Sequence, residues 1–180
     1  MFPDAMAVEK IEVREGYHIE HPNQHKASSK ATKAVVILLL LVSAALMTIV
    51  MLGGWSKLAG MQVVLIGWIL VYVLMAYYVA RWNRGVLPLA AALAILMGIF
   101  AAIEGPEWFD RDKAGFSSPA LDESILGLVT LLIVPVQVLL IGFSMRGFQQ
   151  AWNVEVEVPD GQHYEPGKGY QETGGRTATA

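Results

Sequence analysis

Residues 34–52 read AVVILLLLVSAALMTIVML, nineteen positions without a charge in which the small hydroxyls Ser43 and Thr48 are the only polar side chains. At about 1.5 Å of rise per residue, a helix of this length covers roughly 30 Å, the thickness of a bilayer's hydrocarbon core. It begins only after the polar stretch 1–33, and no small-residue cleavage site of the A-x-A kind follows it, so it reads as a retained transmembrane helix and not as a cleaved leader.

Three further apolar runs follow. Residues 61–80 form the second span, set off from the first by a turn containing Gly53, Gly54, Trp55, Ser56, Lys57 and Gly60. Arg81, Trp82, Asn83, Arg84 and Gly85 make the next interfacial turn. The third span is 86–103, with Pro88 in its first turn, where a missing N–H costs no hydrogen bond, and Glu104, Gly105 and Pro106 at its close. The fourth is 125–145; Ser118 and Pro119 are read as its N-cap and first-turn proline, with Asp122 and Glu123 facing the positive helix end. The expected fold is an all-α membrane protein, a four-transmembrane-helix antiparallel bundle with polar, largely disordered N- and C-terminal tails at 1–33 and 153–180. Met6 would serve as well as Met1 to start the chain, since nothing before it is needed later.

Composition agrees: the 180 residues are 54% hydrophobic and 16% charged, whereas a soluble domain carries about 25% charged residues. The net charge of −3 offers nothing to a polyanion, so no nucleic-acid partner is expected. Charge is informative by position. Lys26, Lys30, Lys33, Arg81, Arg84 and Arg146 flank one side of the spans, and Lys57, Arg111 and Lys113 the other. The positive-inside rule then puts both termini in the cytoplasm, with the cell membrane as the expected location. Trp55, Trp82, Trp108 and Trp152 all fall at span ends, as interfacial indoles do.

Chemistry is scarce. The chain has no cysteine, which removes disulfides, thiolate metal sites and thiol nucleophiles, and none of the spans contains an ionisable side chain. His18, His21, His25 and His163 all lie in the tails, so no pair of histidines can hold a haem between the helices. The His-x-x-His-x-x-x-His spacing of the N-terminal tail would bind a metal weakly at best, and a solvated segment is the preferred reading. No catalytic residue, cofactor or metal site is therefore expected, and the chain is not read as an enzyme.

Four features remain as candidate contact sites. Pro135 and Gln137 sit mid-span in the fourth helix, predicting a kink and an interhelical hydrogen bond. Ala90, Ala94, Gly98 and Ala102 recur every four residues along the third, a ridge for close packing within the chain or against a second copy. Trp68, Tyr72, Tyr77 and Tyr78 give the second span an aromatic side, which packing and interfacial anchoring explain better than a lipid or quinone-like ring. The loop 104–124 sets six acids, Glu104, Glu107, Asp110, Asp112, Asp122 and Glu123, against Arg111 and Lys113. Its Glu107, Trp108, Phe109, Asp110 and Asp112 form the candidate partner-contact surface. Val-Glu-Val-Glu-Val at 154–158 suits an edge strand that would be marginal alone.

The turn Gly53-Gly54-Trp55-Ser56-Lys57-Leu58-Ala59-Gly60 resembles the Gly-x-x-Lys-Leu turn of DoxX-like four-helix membrane proteins. The likeness covers that turn and the helix count, is not reinforced by an acid in the second span, and carries no function. The expected role is a non-catalytic accessory or scaffold component of a membrane complex, with the lipid bilayer and a membrane protein or second copy as partners. The alternative is a small oligomeric transporter or channel subunit, with Gln62, Thr130, Gln137 and Ser144 lining a path.

Overall fold

The computed structural model describes residues 13–110 and 119–173. In chain order the elements are strand β1 (Tyr17–Glu20), a single-turn helix α1 (Pro22–His25), helices α2 (Ala27–Gly53), α3 (Gln62–Ala80), α4 (Val86–Glu107) and α5 (Glu123–Gln149), and strands β2 (Val156–Pro159), β3 (Gln162–Glu165) and β4 (Gly169–Glu172). The chain is mostly helical, and α2 to α5 are each long and apolar enough to cross a membrane.

The helices turn their polar and small residues inward. On α5 the buried positions include Leu126, Thr130, Ile133, Gln137, Leu140, Ser144 and Gly147, an unbroken alternation of four and three that keeps one seam in line. On α2 the buried set includes Ser29, Thr32, Val36, Ser43, Met47, Val50 and Gly53. Leucines and valines such as Leu38, Leu70, Leu128 and Val138 point outward, each at least 60% exposed. A helix that is apolar on its outer face needs an apolar surrounding.

α2 packs on α3 and on α5, and α4 packs on α5, whereas α3 and α4 touch only lightly. The backbone N–H of Leu121, just before α5, donates to the last residue of α2 (Leu121 N to Gly53 O, 3.2 Å). At the other end Gln150, just past α5, bonds Thr32 of α2 (3.0 Å). α2 and α5 therefore run in opposite directions, and both tails leave the helices at the same end.

Several boundaries differ from the sequence expectation. α2 starts seven residues before position 34, because Ser29 and Thr32 are covered where the tails fold back. α4 runs on through Pro106 to Glu107. Gly105 lies so close to α5 that a Cβ there would approach Leu131 Cδ2 to 2.5 Å, and this packing holds the last turn. The N-cap of α5 is Asp122: its carboxylate accepts from the Ser124 hydroxyl and, at 2.8 Å, from the Ser124 N–H. Those bonds hold the Asp122 carboxyl below its usual range. Ser118, read as the cap, lies outside the described residues, as do Arg111, Asp112 and Lys113. α5 continues without interruption through Pro135.

The tails depart most from expectation. Within the described residues they fold. β1 from the N-terminal tail pairs antiparallel with β2 from the C-terminal tail, Tyr17 opposite Pro159 and Glu20 opposite Val156. β3 and β4 form a hairpin beside them. An isolated strand is marginal, but this one is anchored through Val158, fully buried, and by side-chain bonds to the end of α5, Asn23 Nδ2 to Ala151 O at 3.0 Å and Gln24 Nε2 to Trp152 O at 2.9 Å.

Glycine sets the opposite, loop end. Trp108 is 1% exposed and lies over Gly54, where a Cβ would clash with its ring. Gly54→Leu should dislodge this indole and lower detergent-solubilised stability by about 1–3 kcal/mol, as overpacking does, read by thermal unfolding.

Candidate functional site

Two places bring polar side chains together inside the helices. The first is Gln137, 1% exposed at mid-length of α5. The Tyr72 hydroxyl of α3 donates to Gln137 Oε1 at 2.9 Å, and Gln137 Nε2 donates to Ser43 Oγ of α2 at 2.9 Å. Ser43 in turn donates to the Leu39 carbonyl one turn back, at 2.7 Å. Gly98 of α4 supplies the fourth wall: a Cβ placed there would lie 3.5 Å from Gln137 Cβ. One amide thus links α2, α3 and α5 beneath α4.

The second place is a cavity of about 420 Å³ at the loop end, bounded by the end of α2, the following turn, α3, α4 and α5. Met47, Leu65, Trp68, Met97 and Ile133 line its depth, and Lys57, Glu104 and Trp108 its loop-side end. Lys57 sits in a single 3₁₀ turn, Trp55–Lys57, and its side chain is only 5% exposed. Its ammonium lies 3.4 Å from the Glu123 carboxylate in the first turn of α5. Burying a lysine requires such a partner. Gly53 permits it, since Leu121 occupies the space a Cβ would fill and α5 starts close by.

The sequence-derived candidates separate under this geometry. Ala90 and Ala94 are fully buried and Gly98 touches Gln137, but Ala102 is exposed. Four residues turn a helix by about 400°, so a strict four-residue repeat drifts about 40° per step and carries Ala102 off the face. Ala101 and Gly105 take its place. Of the proposed contact loop, Trp108 is buried in the slot over Gly54 and is not available to a partner; Phe109, at 47%, and the exposed Glu107 and Asp110 are. Trp152 also leaves the interfacial role: it is fully buried, edge-on to Trp82 at 5.3 Å. Of the residues named for a path, Thr130 and Ser144 are buried on the same face of α5 as Gln137, about two turns to either side of it, with Thr130 donating to the Leu126 carbonyl at 2.8 Å. Gln62 instead caps the loop end on Trp55 O at 2.9 Å.

The tail histidines are drawn into the strand layer. Glu20 is its junction: the Tyr164 N–H donates to its carboxylate at 2.9 Å, and His163 Nδ1 and His18 Nε2 lie 3.1 and 3.3 Å from it. His18 also faces Asp160 and His21 faces Glu155. Among the described residues, no three His, Asp or Glu side chains are placed to hold a metal ion.

Comparison with known proteins supplies no relative: no family model matches the chain, and no curated protein and no solved structure matches it.

Two outcomes follow. Gln137→Leu should lower stability by about 1–2 kcal/mol in a detergent unfolding titration, because the Tyr72 hydroxyl loses its acceptor in an apolar setting. Partial desolvation pushes the Glu20 carboxyl up, but the bonds from Tyr164, His163 and His18 outweigh it and hold the group below its ordinary value of 4.5. Its contribution to the tail layer is present above pH 4.5 and is lost as the pH falls through the lowered value. The Tyr164 amide shift, followed by NMR, should titrate with a midpoint below 4.5 and lose that inflection in Glu20→Gln; a midpoint at or above 4.5 contradicts the assignment.

Proposed function

We propose that the chain is a multi-pass membrane protein with a non-catalytic accessory or scaffold role in a membrane complex. The helices support the membrane reading by length, composition and their outward apolar faces. In that reading they form an antiparallel bundle with both termini on the cytoplasmic side, where Arg81, Arg84 and Arg146 also fall. Arg84 is held there by Phe148 O at 2.7 Å and Asn153 Oδ1 at 2.9 Å.

The observation that carries the role is the folded tail layer. Residues from both ends of the chain build one ordered surface outside the helices, with Tyr17, Val154 and Tyr170 between 38% and 53% exposed. Ordering a polar tail costs conformational entropy that a passive linker would keep. A preformed surface beside the helices suits docking of a second polypeptide, and Tyr72, Gln137, Ser43 and Thr130 inside the helices are engaged in interhelical and back-bonded contacts instead of being arrayed along a path.

Purification in mild detergent followed by native mass analysis tests this role. The intact chain should run as part of a larger assembly, and Tyr17→Ser with Tyr170→Ser should release it without loss of the helical fold. A clean monomer with no co-purifying chain would overturn the role, and liposomes showing solute flux would replace it with the transport alternative.

A further inference from the structure

A histidine stands at the seam between the two tails with a carboxylate at each ring nitrogen. His18 Nδ1 lies 3.3 Å from Asp160 Oδ1, in the turn after β2, and His18 Nε2 lies 3.3 Å from Glu20 Oε1 on its own strand. A neutral imidazole carries one N–H and one lone pair, so it donates to one of these carboxylates and turns a lone pair on the other. The imidazolium donates from both nitrogens and satisfies both contacts together.

The pattern continues along the seam. His163 of β3 faces Glu20, Nδ1 to Oε2 at 3.1 Å, and His21 Nε2 lies 3.5 Å from Glu155. Like His18 with Asp160, each of these pairs joins the N-terminal tail to the C-terminal one. The other charged groups are turned elsewhere. Register and strand alternation put His18, Glu20, Val156 and Val158 on one face of the β1–β2 pair, and Glu157, opposite Ile19, on the other. Glu165 of β3 is held by Lys168 at 3.1 Å, and Glu172 of β4 stands across from Gln162. Arg14 and Glu15 lie exposed ahead of β1, and His25 meets His163 only as a ring edge at 6.2 Å.

Fixed charge does not draw the tails together. With neutral imidazoles, residues 13–26 set Arg14 and Lys26 against Glu15 and Glu20 and carry no net charge, while residues 153–173 set five acids against Lys168. Protonating His18 and His21 makes the first segment positive and leaves the second negative, even with His163 charged.

We propose that the strand layer is a pH-sensitive latch between the two tails, drawn shut by protonation of His18, His21 and His163 and loosened as they lose that charge. Imidazole changes charge between about pH 5 and 8. Closure takes up protons, so it is fully present at the acid end of that range and is lost as the pH rises through it. Below 4.5 the Glu20 carboxylate, which the latch needs ionised, protonates in its turn and loosens the layer again. The latch stands whether or not a partner docks on the layer.

The Asp160 N–H, which donates across the seam to Gly16 O at 2.8 Å, reports closure. In the purified full-length protein in detergent micelles, its hydrogen-exchange protection, corrected for the intrinsic rate at each pH, should fall at least about tenfold between about pH 6 and 8. Nitrogen NMR of the His18 ring should show both nitrogens protonated at the lower pH. His18→Gln should cut the fall to about threefold or less, whereas His25→Gln, which removes a ring that faces no carboxylate among the described residues, should leave it within about twofold. Protection that changes by less than about twofold in the unaltered chain, a neutral His18 ring at about pH 6, or a fall of full size in His18→Gln would each overturn the proposal. The first two readings use the unaltered chain, so they decide the matter even if a variant fails to fold.

Discussion

The amide of Gln137 is the constraint on which the arrangement of helices depends. A primary amide in an apolar interior must find partners for both its oxygen and its nitrogen, because neither lipid nor leucine can replace water. Tyr72 and Ser43 provide them, from two different helices. Sliding or rotating α2 or α3 by one residue against α5 would break a bond with no substitute nearby. Packing alone between apolar surfaces in lipid has many near-equivalent registers, and a satisfied polar contact selects one.

With that register fixed, both ends can close. At the loop end, Gly54 receives the Trp108 ring, Gly53 receives Leu121, and α5 begins near enough for Glu123 to meet Lys57. At the tail end, Gln150 reaches Thr32 and the Trp152 indole N–H donates to Gln150 Oε1 at 3.0 Å. Asn23 and Gln24 then tie the N-terminal tail to the exit of α5, which places β1 alongside β2. The strand layer thus inherits its alignment from the helices and adds the Glu20 junction as its own tie.

The helices were legible because their signal is local: nineteen uncharged residues at 34–52 announce a span whatever they touch. Gln137 was legible as a hydrogen-bonding residue because nothing else polar of its size lies in the fourth span, but its partners were not, since Ser43 is 94 positions away and looks like any small hydroxyl. The small-residue ridge was half legible, as a repeat of four follows a helix face for two steps and then leaves it. The strand layer was hidden because each strand is only four residues long, and β1 and β2 each take their partner from the other end of the chain. Lys57 misled for a related reason: a lysine in a turn normally faces water, and its burial follows from two preceding glycines and an acid 66 positions on, a conjunction visible only in the fold.

The most direct measurement is a double-mutant cycle in a detergent unfolding titration, combining Tyr72→Phe with Gln137→Leu. If the amide holds α3 to α5, the two substitutions should be coupled by about 0.6–2 kcal/mol, the double variant losing less than the sum of the singles. Additivity to within about 0.3 kcal/mol would mean that the two side chains do not depend on each other, and the helix arrangement would have to be fixed by something else.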